Sequence, residues 1–536
     1  MMMDYPLLMK TMLDRSYNLF PEKKVFSRGT VKDTEYNYQE FYQRVQKLAN
    51  VLQKLGIKKG DCVGTFAWNN HRHMELYFAV PCSGAILHTL NLRLFPEHLI
   101  HVINHAEDKI IFIDEDLLPA LEKAMDHLKT VEKVVVMSDR EELPETNLKQ
   151  VFSYEKLLKE ASSDFVFPEN LEETTPAALC YTTATTGLPK GVMYTHRSIY
   201  LHSLSLSVPD YLGLSQKDVI MPVVPMFHVL AWGLPFACPW MGADIVLPGR
   251  DMRPEALCQL IEEKQVTASA GVPTIWVAMY HHLESGARYD FSSLRFLVNG
   301  GSAISKDLIK TFQEKHGIEV LHSYGMTETS PLVTASRLKS HMESWDPESR
   351  YEVKAKQGLL APGLEMKIID DQGREIKWDG KEMGELCLRG PWIAKEYFRD
   401  PERSKETMKN GWLHTGDIVS IDPEGYLQVQ DRSKDLIKSG GEWISSVDLE
   451  NKIMGHPKVM EAAVIAIPDE KWQERPMACI KPVEGEEITE EEIAEYLRDK
   501  VAKWWIPDKF LKLEEIPKTS VGKMNKKALR EQLVSE

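Results

Sequence analysis

Tyr181-Thr182-Thr183-Ala184-Thr185-Thr186-Gly187-Leu188-Pro189-Lys190-Gly191 follows directly on a short apolar run, Ala177-Ala178-Leu179-Cys180, that predicts a strand. Four threonine hydroxyls, two glycines and one lysine fall within these eleven residues. Backbone N–H groups in a small-residue loop, joined by hydroxyl donors, can wrap a polyphosphate, and a lysine adds a point charge. The loop is not the Walker type, because Gly191 follows Lys190 where that motif has the glycine before the lysine and Ser or Thr after it. Read by itself, a Ser/Thr/Gly stretch is a surface turn. Its neighbours decide between the two readings.

Working outward, Asn37 and Glu40 form a capping-box pair ahead of Phe41, Val45, Leu48, Leu52 and Leu55 at helical spacing, with Gly56 closing the helix. A strand is expected at 62–67, a Pro96-initiated helix carries Leu99, Val102, Ile103 and Ala106, and all-apolar strands follow at 110–113 and 134–136. The same texture recurs at 219–224, 245–247 and 294–298. Short, wholly apolar strands between helices predict sheets covered on both faces, so the fold class is α/β. Beyond about residue 360 the strands at 365–370, 384–388 and 426–430 are bounded by glycine and aspartate and predict a β-rich subdomain. After Asp431 a compact α+β tail is expected, with strands near 462–467 and 477–481 and a helix from Thr489. The predicted division is a large body of several subdomains, 1–430, and a small C-terminal domain, 431–536. Residues 339–356 are charged and without clear periodicity and read as a long surface loop.

A chain of 536 residues exceeds what one hydrophobic core organises. Its formal charge of -15 is spread over mixed-sign segments and no long basic tract is present, which argues against a dedicated nucleic-acid binder. Seven scattered cysteines show neither disulfide nor zinc spacing and predict a reducing, cytoplasmic setting. Met1-Met2-Met3-Asp4-Tyr5-Pro6 lacks the basic and apolar segments of a signal peptide, and no run of about 18 apolar residues predicts a membrane span. A lipid substrate would then be collected from water or by peripheral contact with a membrane.

The later motifs are read with the loop. Tyr324-Gly325-Met326-Thr327-Glu328-Thr329, Thr415-Gly416-Asp417, Asp431-Arg432-Ser433-Lys434-Asp435 and Pro517-Lys518-Thr519-Ser520-Val521-Gly522-Lys523 occur in the order and approximate spacing of adenylate-forming enzymes. The chain resembles that superfamily over nearly its whole length. Pro225-Met226-Phe227-His228-Val229-Leu230-Ala231-Trp232 and Lys438-Ser439-Gly440-Gly441-Glu442-Trp443-Ile444-Ser445-Ser446 make it most similar to medium- and long-chain fatty acyl-CoA synthetases. The resemblance implies a fatty acid, ATP and coenzyme A as substrates and Mg2+ as cofactor. The carboxylate is first activated as an acyl-adenylate and then attacked by the coenzyme A thiol.

The resemblance also implies roles. Thr182, Thr183, Thr185, Thr186 and Lys190 would hold the phosphates, with Glu328 and Thr182 as magnesium ligands. Thr327 would lie at the nucleotide, Tyr324 with Gly325 would form the base platform, and Asp417 with Arg432 would meet the ribose. Gly300 and Gly301 would allow close approach of adenylate or acyl group, and His228 and Trp232 would border the acyl tunnel. Lys523 would bridge carboxylate and α-phosphate during adenylation. Asp431 would be the hinge of a mobile C-terminal domain, with Lys434 beside the nucleotide and Lys438, Gly440, Gly441 and Trp443 on the coenzyme A side. A homodimer is implied in the same way.

Each residue also has a plainer reading: Glu328 as an acid at a helix N-terminus, Thr415-Gly416-Asp417 as a turn, His228 and Trp232 as packing, and the lysines around Lys523 as a solvated tail. Position 184 is ordinarily glycine in this motif and is alanine here. A ligase for a short, aryl or sulfur-containing acid, and a catalytically impaired acyl-nucleotide-binding protein, are the competing functions.

Overall fold

The computed structural model describes residues 1–536 except 141, 183–187, 433–434, 440–441, 470, 519–523 and 534–536. Thr183, Ala184, Thr185, Thr186, Lys434, Gly440, Gly441 and Lys523 therefore lie outside the described residues.

Two large sheets form the body. In the first, strands run in the spatial order Val151–Ser153, Lys133–Met137, Ile110–Asp114, Cys62–Phe66, Ile86–Thr89, Pro176–Tyr181, Gly191–Thr195, all parallel until the last pair. That last pair is an antiparallel hairpin whose connection is the threonine-rich loop, with Tyr181 opposite Gly191. The second sheet has nine strands, its parallel centre containing Val219–Pro222, Ala268–Gly271, Phe296–Asn299 and Glu319–Gly325. Central strands such as Cys62–Phe66 and Phe296–Asn299 are buried along their length, as expected for parallel strands covered by helices. The helix Tyr38–Lys54 carries the full Asn37/Glu40 capping box, and Pro96 opens Pro96–Ala106.

The β-rich subdomain pairs Glu365–Ile369, Gly384–Arg389 and Trp412–Ile421 in antiparallel fashion, and Leu427–Arg432 joins beside Trp412–Ile421. Asp431 is the penultimate residue of that last strand and pairs with Ile418. The C-terminal part builds a separate five-stranded sheet around Val459–Asp469 and Gln473–Pro482, with helices Ser446–Met454, Glu490–Leu497 and Lys526–Leu533. It has its own apolar core, which includes Ile437, Leu449, Val464 and Ile480.

One sequence expectation is corrected. Residues 339–356 are not a loop: a 3-10 turn Ser340–Ser344 is followed by the helix Pro347–Ala355. Pro at the first position and the Asp346 side chain, which accepts from Ser349 N–H, start the helix. Its apolar period is too short to register in the sequence, and burial of Tyr351 and Val353 supplies the stability. No helix among the described residues is long and apolar enough to cross a membrane.

Candidate active site

A cleft of about 690 Å³ lies where the two body sheets, the β-rich subdomain and the C-terminal domain meet. Its polar part is lined by Thr182, Lys190, Tyr324, Glu328, Asp417 and Arg432, and its apolar part by Val224, Trp232, Val272, Pro273, Val277 and Leu332. Residues from motifs far apart in the chain thus share one space.

The hairpin geometry pins both ends of the threonine-rich loop. Thr182 N–H donates to the Lys190 carbonyl at 2.9 Å, and Lys190 N–H donates to Thr182 Oγ1 at 3.2 Å. Arg403 further donates to the Leu188 carbonyl. Lys190 Nζ lies 4.2 Å from the centre of the Tyr397 ring and donates to its hydroxyl at 3.0 Å. Burial holds the Lys190 ammonium below its ordinary range, with Glu328 pulling the other way. Tyr397 in turn donates to Glu328 Oε1 at 2.6 Å. Glu328 is buried in the short 3-10 turn Thr327–Thr329, whose Thr327 carbonyl accepts from the Tyr194 hydroxyl. A loop lysine, a tyrosine and a buried carboxylate therefore form one chain of contacts.

Tyr324 stands at the end of Glu319–Gly325 and donates to Asp417 Oδ2 at 2.5 Å. Arg432 Nε is 3.5 Å from Asp417 Oδ1, and that carboxylate holds the guanidinium above its ordinary range. Asp417 is buried, and the preceding turn is fixed by Gly416 N–H donating to Glu385 Oε1 at 3.1 Å. His414 Nδ1 meets Glu385 Oε2 at 2.9 Å, and Cys387, opposite His414 in the strand pairing, lies beside them. This trio is compact enough to share an ion. Its hydrogen bonds already account for its geometry as a brace beneath Asp417.

Gly300 and Gly301 follow the strand Phe296–Asn299, and a Cβ at 300 would sit 2.8 Å from the Trp232 ring. Gly325 is also sterically required, since a Cβ there would meet the Pro331 carbonyl at 2.1 Å. His228 lines the cleft, half-buried, ahead of an unusual backbone: Val229, Leu230, Ala231 and Trp232 have φ of 46°, 51°, 47° and 57°. Four successive non-glycine residues in the left-handed region carry strain that surrounding packing must offset. The turn presents the Trp232 indole to the cleft wall.

On the C-terminal side, Glu450, Asn451, Met454, Met524, Lys526 and Arg530 line the cleft. Lys438 and Trp443 do not; Trp443 is 41% exposed, with Lys438 Nζ 5.5 Å from its ring centre. Of the expected site residues that are described, the structure gathers Thr182, Lys190, His228, Trp232, Gly301, Tyr324, Gly325, Thr327, Glu328, Asp417, Asp431 and Arg432 at the cleft, and Gly300 packs on Trp232. Sequence reasoning missed Tyr397, Glu385 and His414, which belong to no quoted motif and act through contacts distant in the chain.

A hairpin that closes a threonine-rich loop, a polar cleft and an apolar annex beneath a small C-terminal domain are features suited to an enzyme that activates an acid with a nucleotide. The chain belongs to the AMP-binding enzyme family: residues 13–398 match the family model and residues 448–523 match that of its C-terminal domain. It is 48% identical to a long-chain-fatty-acid–CoA ligase of Thermus thermophilus, over 99% of this chain and 96% of that one. It is 42% identical to a 3-methylmercaptopropionyl-CoA ligase of Ruegeria lacuscaerulensis, over 99% of this chain and 98% of that one. Among solved structures, an anthranilate CoA ligase in complex with anthranoyl-AMP shares the fold, with a TM-score of 0.88, 24% identity and coverage of 99% and 98%.

Proposed function

We propose that this protein is an ATP- and Mg2+-dependent fatty acid–CoA ligase acting on medium- to long-chain acids through an acyl-adenylate. The observation that carries the reading is the continuity of one cleft from the Lys190–Tyr397–Glu328 chain, past Tyr324 and Asp417, to the apolar wall at Trp232 and Val277. A carboxylate entering from the apolar end would meet the α-phosphate of a nucleotide held at the polar end. The protein's work is then to position the two and to neutralise developing charge.

Thr182, Thr183, Thr185, Thr186 and Lys190 bind the phosphates, Tyr324 with Gly325 forms the base platform, and Thr327 lies at the nucleotide. Asp417 and Arg432 bind the ribose, with Lys434 nearby. Magnesium fits the donors on hand: Glu328 is a carboxylate and Thr182 a hydroxyl, hard oxygens in the same cleft, and such sites leave the remaining positions to water and phosphate. Bound there, the ion would neutralise phosphate charge. Lys523 carries the adenylation step. Gly300 allows close approach of the adenylate, Gly301, His228 and Trp232 border the acyl group, and Lys438, Gly440, Gly441 and Trp443 serve coenzyme A after the domain 431–536 turns about Asp431 against the body 1–430. The described cysteines are all free and buried, which supports a cytoplasmic enzyme that takes its acid from water or from a membrane surface. A homodimer completes the reading.

The 42% identical Ruegeria ligase supports a second reading, a shorter sulfur-containing acid activated by the same residues. ATP–pyrophosphate exchange across straight-chain acids of four to sixteen carbons, with 3-methylmercaptopropionate alongside, separates the two. Each methylene buried is worth about 0.8 kcal/mol, roughly fourfold in affinity, so kcat/KM climbs with length until the apolar annex is filled. A flat or falling series, with the sulfur acid preferred, overturns the fatty-acid reading.

A further inference from the structure

Lys526 is an unfavourably placed cation. It opens the helix Lys526–Leu533, where the helix dipole repels positive charge, and its side chain is 11% exposed. Acidic partners compensate. Its Nζ is 2.8 Å from Glu450 Oε1, an oxygen that also accepts from Val464 N–H at 2.7 Å. The same ammonium donates to Ser446 Oγ, and Ser446 Oγ donates to Asp431 Oδ2. Ser446 N–H reaches that Asp431 oxygen too, at 2.9 Å, and Ser445 Oγ donates to the Gln430 carbonyl. Nearby, Arg530 pairs with Asp435 at 2.7 Å.

These bonds cross the joint between the two parts of the chain. Gln430 and Asp431, the hinge residue, lie on the strand Leu427–Arg432 that pairs within the β-rich subdomain, whereas Ser445, Ser446, Glu450 and Lys526 lie in the C-terminal domain beyond the hinge. A rotation about the backbone that follows Asp431 parts the two sets. In the orientation seen here, Lys526 stands between two buried carboxylates, Asp431 and Glu450, of which Asp431 is 2% exposed. Without its charge the Asp431 and Glu450 carboxyls would face each other across one serine hydroxyl in a poorly solvated space with no cation between them, and the joint would favour opening.

We infer that Lys526 is a positioning residue: it latches the C-terminal domain in the orientation that turns its Met524–Arg530 face to the cleft, by standing as the cation between the Asp431 and Glu450 carboxyls at the joint. The inference rests on the ligase reading, since it assigns that orientation to adenylation. Replacing Lys526 shifts the balance of orientations and therefore separates the two half-reactions, which a merely structural lysine does not.

The test compares wild type, Lys526→Met, Lys526→Arg and the double variant Lys526→Met/Glu450→Gln. Adenylation is read by ATP–pyrophosphate exchange with a fatty acid and thioester formation by supplying synthetic acyl-adenylate with coenzyme A, with urea unfolding of each variant in parallel. Lys526→Met is expected to slow exchange about tenfold or more while thioester formation stays within about threefold of wild type, and Lys526→Arg to restore exchange. The double variant also removes one of the two acids left without their cation; it is expected to unfold nearer the wild-type urea concentration than Lys526→Met and still to lose exchange selectively, so it carries the test should Lys526→Met not fold. Equal losses in both half-reactions, or unimpaired exchange in both methionine variants, overturn the latch. Absence of exchange in the wild type would instead overturn the ligase reading itself.

Discussion

The Trp232 indole occupies the space that any side chain at position 300 would need: a Cβ built on Gly300 falls 2.8 Å from Trp232 Cη2. Glycine there lets an aromatic wall rest directly on backbone at the end of a central strand. Gly300→Ala is expected to displace the ring at a cost of about 1–3 kcal/mol. Intrinsic fluorescence should shift, and KM for long acids should rise at least severalfold while KM for ATP changes little. An unchanged emission spectrum with unchanged acid KM would show that the wall yields freely.

Tyr397 links Lys190 to Glu328 through one hydroxyl, accepting from the first at 3.0 Å and donating to the second at 2.6 Å. Hydrogen bonds to charged groups contribute about 1.5–3 kcal/mol, so Tyr397→Phe should lower the adenylation rate by roughly 10- to 100-fold. The ring remains to cover Lys190, so stability should change little. Magnesium dependence is the diagnostic readout: the half-saturating concentration should move because Glu328 loses its orienting donor. Wild-type rates over a full magnesium titration would remove Tyr397 from the account.

Local signals were legible before the structure, and long-range ones were not. Asn37 with Glu40, and Pro96, announce helices because capping is settled within one turn of chain. The threonine-rich loop reads correctly as the connection of a strand, since its flanks form the hairpin themselves. The Pro347–Ala355 helix was missed because its few apolar positions acquire meaning only against neighbouring elements. Tyr397 was missed for the same reason: its partners lie 207 and 69 residues away. The left-handed turn at Val229–Trp232 has no composition signal at all, since glycine enters only at Gly233. The family resemblance supplied motif positions, while the braces behind them, such as Glu385 under Gly416, came from tertiary contacts.

Four buried histidines set an acid limit on stability. Burial pushes His73, His196 and His322 down to about 4 and His202 to about 3. Their folded values lie below the unfolded value of about 6.5, so the stability they contribute is complete above that pH and is lost as pH falls toward 4. Asp114 and Glu450 oppose this, because burial pushes both up to about 7 and the folded state keeps protons that the unfolded state releases. At pH 5.5 the four histidines outweigh the two acids, so these groups take up protons on unfolding and the stability they contribute falls as pH falls. Proton uptake during denaturant unfolding in weak buffer measures it; release in place of uptake would refute the sign.

The cleft also predicts how the two half-reactions divide between different parts of the small domain. Met524, Lys526 and Arg530, just beyond Lys523 in the chain, line the cleft, whereas Trp443 and Lys438 do not and Trp443 is partly exposed to solvent. A group needed at the α-phosphate and a group needed by coenzyme A at the same carbonyl cannot occupy the site together. Lys523→Ala should therefore cut ATP–pyrophosphate exchange by at least about 100-fold through loss of a charge that stabilises the transition state, with thioester formation from supplied acyl-adenylate near wild type. Trp443→Ala should do the reverse, sparing exchange and raising the KM for coenzyme A. Asp431→Pro is a poor probe of the joint, because it removes both the acceptor for Ser446 and a residue paired with Ile418. Should Lys523→Ala and Trp443→Ala each depress both half-reactions alike, one fixed orientation serves both steps and the exchange of faces does not occur in this protein.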